Sequence, residues 1–126
     1  MKRLVVSLPL PSNVLGKNSG HGSWHGRARA VKDHTTLGFY AIRQALSHEH
    51  EPWTGPVTVT IRWYGRGGPL PDVDNAIARC CAYLDSAQHA GLFVNDTQIT
   101  DFSVERAYDR ENPRCEIEFR HAAGEV

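Results

Sequence analysis

The sequence predicts an α+β domain of two layers, a small mixed β-sheet with two amphipathic helices on one face. Three observations lead there. Segments at 2–8, 56–64, 99–108 and 114–121 are Val- and Leu-rich or alternate apolar with polar residues, as strands do. Segments at 28–46 and 75–90 carry apolar residues at helical spacing. The order strand, helix, strand, helix and a strand pair needs only one layer of helices over one sheet face. The 126 residues, 40% hydrophobic and 22% charged, suffice for one core without metal or disulfide staples, so residues 1–126 are expected to form a single domain.

The first strand stops at Pro9, inside Pro9-Leu-Pro11. Residues 12–27 follow as an expected flexible loop of Gly, Ser, Asn, His and basic residues without apolar periodicity. Loops of that length inside a compact domain are usually functional or disordered. The first helix rests on Val31, Leu37, Tyr40, Ala41 and Ala45, with Gly38 and Thr35-Thr36 weakening its middle. In the next strand Val57, Val59, Ile61 and Trp63 face one way and Thr58, Thr60, Arg62 and Tyr64 the other. Gly65 to Pro71 reads as a turn-rich connector. The second helix places Ile77, Cys80, Cys81, Leu84 and Ala87 on one face, and Gly91 ends it. The last two strands are expected to pair through a hairpin turn at Asp109–Pro113, and residues 122–126 to fray.

Composition narrows the function classes. No window approaches the ~18 apolar residues of a membrane-spanning helix, and the amino end is too short in apolar residues for a signal peptide. The three cysteines, two of them adjacent, do not suit a disulfide framework. A soluble, cytoplasmic protein without a membrane partner is expected. Lys+Arg and Asp+Glu balance at 14 each, which is not the global signature of a nucleic-acid binder. The distribution differs: residues 1–32 hold Lys2, Arg3, Lys17, Arg27, Arg29 and Lys32 and no acid. A basic arm beside an acidic centre can sum to zero and still present a strong dipole.

The acids that suggest chemistry are Asp72 and Asp74, in Pro71-Asp72-Val73-Asp74-Asn75 at the start of the second helix, and Asp96, in Phe93-Val94-Asn95-Asp96-Thr97-Gln98 just beyond it. Residues two apart in an extended approach project from one side, so Asp72 and Asp74 can converge. A helix of about 15 residues is roughly 22 Å long. Asp96 therefore reaches the other two only if residues 92–96 run back along the helix or the helix is shorter. Mg²⁺ takes oxygen ligands and keeps several waters, so a few carboxylates and a phosphate make a normal site for it. Each acid also has a bland reading, with Asp74 as a helix N-cap and Asp96 as turn chemistry.

Taken together, Asp72-Val73-Asp74-Asn75, a helix ending in His89-Ala90-Gly91-Leu92-Phe93, and then Asn95-Asp96-Thr97-Gln98 resemble the RusA family of Holliday junction resolvases. That family shows Asp-x-Asp-Asn, a helix, Gly, and an acidic pair followed by a small residue and Gln. Leu8-Pro9-Leu10-Pro11-Ser12-Asn13 resembles its Pro-rich Ser-Asn stretch, and chain length and element order agree, so the likeness covers most of the chain. It implies an RusA-like fold and a Mg²⁺-dependent endodeoxyribonuclease, with Mn²⁺ as a substitute. Such an enzyme acts as a homodimer that binds branched DNA and makes paired symmetric nicks in four-way junctions. By position, Asp72, Asp74 and Asp96 are the implied metal-binding and catalytic carboxylates. Two departures stand out: the family Lys four residues after the second Asp is Ala78 here, with Arg79 next to it, and Asn95 stands where the family often has an acid.

Lys17, Arg27, Arg29, Lys32, Arg66 and Arg79 are the candidate phosphate contacts, with Arg66, Lys17 or Arg29 able to supply the missing cation. A zinc site from His21, His25, His48, His50, Cys80 and Cys81 is disfavoured. Adjacent cysteines on a helix point about 100° apart and lack the Cys-x₂₋₄-Cys spacing. Trp63 is expected in the core and Trp24 in the loop as a stacking residue. Two other functions compete with the nuclease. One is a junction-binding protein without catalysis, which Ala78 favours; the other is a small metal-binding or interaction domain unrelated to DNA, which the neutral charge favours.

Overall fold

The computed structural model describes residues 2–16 and 24–122 and arranges them as β1 (Lys2–Leu8), α1 (Trp24–Ala45), β2 (Val57–Gly65), α2 (Val73–Arg79), α3 (Cys81–His89), β3 (Ile99–Tyr108) and β4 (Arg114–His121). The α+β expectation holds, with a four-stranded mixed sheet in the order β1-β4-β2-β3. β4 runs antiparallel to both β1 and β2, and β3 runs parallel to β2. The expected β3–β4 hairpin does not form. β4 carries the fully buried Cys115, Ile117 and Phe119, whereas β3 is exposed over most of its length. Hairpin pairing would leave the more apolar strand nearer the edge, so β4 takes the interior position instead. Asp109–Pro113 consequently crosses the end of β2, where the Asp109 N–H donates to Gly65 O at 2.8 Å.

β2 keeps the alternation read from its sequence, with Val57, Val59, Ile61 and Trp63 buried under the helices. The opposite sheet face is polar. There Glu118, only 2% exposed, accepts from Arg62 at 2.9 Å and from Arg120. Burial alone would raise its carboxyl pKa, but the two guanidinium groups outweigh burial and hold it below the usual range.

Two helix boundaries differ from the sequence reading. α1 starts at Trp24, so residues 24–27 of the expected loop are helical; Lys17 and His21 lie outside the described residues, as do the Trp24 side chain and residues 123–126. The second helix begins two residues early and is divided at Cys80 (φ −91°, ψ −1°). The Leu84 N–H still donates to Cys80 O at 3.0 Å, so α2 runs into α3 with its hydrogen bonding almost unbroken. Gly38, a weakness by helix propensity, is where α1 meets α3: a Cβ there would sit 2.2 Å from Ser86 Oγ and 3.2 Å from the Tyr83 ring. Close approach of the two helices requires the missing side chain.

Candidate functional site

The connector after β2 delivers Asp72 to the start of α2. Asp72, not Asp74, is the cap: its backbone is extended and its Oδ1 accepts the Asn75 N–H at 3.1 Å. Asp74 lies in the first turn, where the helix dipole favours a negative charge. Both side chains are exposed at the same helix end, which leaves Asp72 a second carboxylate oxygen for other partners.

Asp96 is held at the other end. Gly91, with φ +87°, stops α3 through Leu92 N–H to Ala87 O and Gly91 N–H to Gln88 O, both 3.0 Å. The chain then turns back, and the Asp96 N–H donates to Gln88 Oε1 at 3.0 Å. Asn95 Oδ1 accepts the Thr97 N–H while Gln98 Oε1 accepts the Asn95 N–H, a reciprocal cap on the 3₁₀ turn Asp96–Gln98. An Asp at position 95 would accept the same Thr97 bond, so Asn95 keeps the turn and lacks only the charge. Gln98 Nε2 also donates to Trp53 O at 2.8 Å and Gly55 O at 2.9 Å, which ties the turn to the segment before β2.

Asp96 lies near enough for its charge to act on Asp85, an acid whose role the sequence alone does not signal. Burial first, then the charge of Asp96, raises the Asp85 pKa, and His89 opposes both. Helical spacing puts Asp85 one turn before Gln88, which grips Asp96. A raised folded-state pKa means that Asp85 favours the fold while protonated. That stability is fully present below the ordinary Asp range and is lost as pH rises through the folded value. Asp85→Asn is therefore expected to melt higher than the wild type at pH 7 and at the same temperature near pH 3. An equal gap at both pH values would mean that ionisation of Asp85 does not oppose the fold.

The structure does not bring Asp96 to Asp72 and Asp74. The eleven helical steps from Asp74 to Asp85 span roughly 16 Å. β3 starts beside the Asp96 turn, and its Arg106 reaches Pro71, which puts roughly 23 Å of strand between the two ends. The physical reason is the parallel β2–α2–α3–β3 crossover, in which the helices run back along the strands and so begin at their carboxyl ends and finish at their amino ends. Residues 92–96 double back only as far as the last turns of α3. Among the described residues no three His, Cys, Asp or Glu side chains gather closely enough to hold a metal. What the fold presents is two acidic pairs, Asp72 with Asp74 and Asp85 with Asp96.

The candidate cations separate as well. Arg29 and Lys32 share one exposed face of α1, three residues apart, and Arg66 is exposed on the connector. Arg27 donates to Val14 O at 2.8 Å. Arg79 turns inward, donating to Pro11 O at 2.5 Å with its guanidinium 4.6 Å from the Trp63 ring centre. Burial lowers its pKa from the ordinary arginine value. Arg106, which the sequence reading passed over, donates to Pro71 O at 3.1 Å, one residue from Asp72. Of the zinc candidates, His50 Nε2 lies 3.0 Å from Leu92 O, while Cys80 is buried and Cys81 exposed. Trp63 is in the core as expected, and so is Trp53, stacked on His121 with ring centres 5.1 Å apart.

No helix among the described residues is long and apolar enough to cross a membrane. The curated proteins contain no match to the chain. Among solved structures it is similar to the periplasmic domain of Helicobacter pylori MotB, at 21% identity over 96% of this chain and 82% of that one, with a TM-score of 0.38, too slight a likeness to bear on the fold. The family model described as endodeoxyribonuclease RusA matches residues 27–120, a span that includes Asp72, Asp74, Asp85, Asp96 and Arg106. With that match over most of its length, the chain belongs to the RusA endodeoxyribonuclease family.

Proposed function

We propose that this protein is a divalent-metal-dependent endonuclease that resolves four-way DNA junctions by paired symmetric nicks, working as a homodimer in the cytoplasm. The observation that carries the reading is the family match over residues 27–120, which spans both acidic pairs. Asp72 and Asp74 are the residues proposed to hold Mg²⁺. Their oxygen donors suit a hard cation, and an ion that keeps most of its waters and takes phosphate oxygens needs only one or two carboxylates. When bound, such an ion supplies Lewis-acid polarisation of the phosphodiester and an acidified water. Asp96, on its 3₁₀ turn at the other end of the helices, is proposed as a third catalytic carboxylate.

The chain's own groups carry the rest. The Asp72 cap and the first turn of α2 orient the acids toward solvent, where a DNA strand can approach. Arg29 and Lys32 on α1 and Arg66 on the connector offer phosphate contacts. Two copies related by a two-fold axis match the two-fold symmetry of a junction and explain paired cuts. A second reading, junction binding without catalysis, draws on Ala78, the inward Arg79 and the separation of Asp96 from Asp72.

A nicking assay on a labelled synthetic four-way junction beside a matched linear duplex, with Mg²⁺ or EDTA, decides between them. Metal-dependent paired nicks on the junction alone are expected. Tight junction binding without cuts would establish the second reading, and neither binding nor cutting would remove both.

A further inference from the structure

We propose that Arg106 supplies the cationic contact to the scissile phosphate at the Asp72–Asp74 turn, a charge that Ala78 on the helix does not carry. The inference rests on the nuclease reading and adds a residue to it. Two carboxylates that face a phosphate need compensating positive charge beyond any metal, because negative charge grows on the phosphate in the transition state. The helix offers none outward: Ala78 is uncharged, and Arg79 is turned inward onto Pro11 O and Trp63.

Arg106 meets the requirement from the neighbouring strand. It pairs in register with Trp63, so it projects from the same sheet face that α2 covers. Its Nη1 holds Pro71 O at 3.1 Å, which places the guanidinium one residue from the capping Asp72. The residue is exposed, and among the described residues it takes part in no ion pair. A guanidinium has five N–H donors in a planar fork, so donation to one carbonyl leaves others for phosphate oxygens. Two residues further along the same face, Tyr108 donates its hydroxyl to Gly68 O at 2.5 Å. β3 therefore fixes the connector that delivers Asp72 at two points, and Arg106 acts from a rigid strand. Arg66 lies on the connector between Gly65 and Gly67 and lacks such a footing.

The alternative is that Arg106, like Tyr108, only clamps the connector, and Arg106→Lys separates the two. Lysine keeps the charge but not the fork that holds Pro71 O while reaching a phosphate. Single-turnover cleavage of the four-way junction in saturating Mg²⁺, melting temperature and the salt dependence of junction binding would be measured for wild type, Arg106→Lys, Arg106→Gln and Arg106→Ala. Expected are rates for Gln and Ala lower by about 10²-fold, substantial rescue by Lys, a small drop in melting temperature shared by all three variants, each of which gives up the fork on Pro71 O, and a salt slope shallower by about 0.9 in Arg106→Gln. Wild-type cleavage by Arg106→Ala would overturn the inference, and so would equal losses of rate in all three variants, with no rescue by Lys. If the wild type itself cuts nothing, the nuclease reading fails separately, and an unchanged salt slope would then overturn the phosphate contact as well.

Discussion

Asp74→Asn is expected to abolish junction cleavage, by on the order of 10²-fold or more, while the protein folds normally and binds the junction as tightly as before or more tightly. Removal of a negative charge that faces phosphate lowers repulsion toward the backbone, so affinity and activity move apart. Asp72 supports the sharper comparison because it is also the N-cap of α2. Its Oδ1 caps α2 through the Asn75 N–H. Asparagine caps a helix about as well as aspartate, whereas alanine costs about 1 kcal/mol. Asp72→Asn is therefore expected to lose cleavage without losing stability, and Asp72→Ala to lose both. If Asp74→Asn cuts at the wild-type rate, this acidic pair is not the site. Asp96→Asn reads out the remaining question. Loss comparable to Asp74→Asn means that Asp96 acts with the pair despite lying at the other end of the helices. Wild-type activity means that the pair at α2 suffices.

The fold was legible where local pattern and burial agree. Val57 to Trp63 alternate in the sequence and are buried alternately in the sheet, and Gly91 stops its helix by the positive φ that glycine adopts without strain. What local pattern does not carry is which strands become neighbours. Asp109–Pro113 has turn composition whether it closes a hairpin or crosses β2, and only the competition between an apolar β4 and an exposed β3 decides it. The site divides in the same way. The acids were identifiable as residue types in a spacing, but that spacing says nothing of which end of the crossover each one occupies. Asp85 and Arg106 escaped notice because their relevance is entirely tertiary, through Asp96 in one case and Pro71 in the other. Gly38 was read as a flaw in a helix because its partner, Ser86, lies far along the chain.

Arg79 was a phosphate candidate by charge and position, and its surroundings predict a different loss. It donates to Pro11 O and lies over Trp63, so it joins α2 to the segment that leads from β1 toward the basic arm. The same junction is tight elsewhere: a Cβ on Gly16 would come within 2.7 Å of Asn75 Oδ1, beside Asp74. Arg79→Met keeps the length of the stem and removes the hydrogen-bonded cation. A charge-assisted bond contributes about 1.5–3 kcal/mol and a partly desolvated cation–π contact about 1 kcal/mol, while relief from burying a guanidinium offsets part of both. The expected net loss is about 2 kcal/mol, or a melting temperature lower by roughly 5–10 °C. Amide hydrogen exchange in residues 12–16 should quicken with it, because those residues lose their tie to the helix. The salt slope of junction binding should stay as in the wild type, in contrast to Arg106→Gln. A variant that melts normally but binds with a shallower slope would return Arg79 to the DNA, because a stitch between β1 and α2 cannot be cut without loosening the fold and a phosphate contact can.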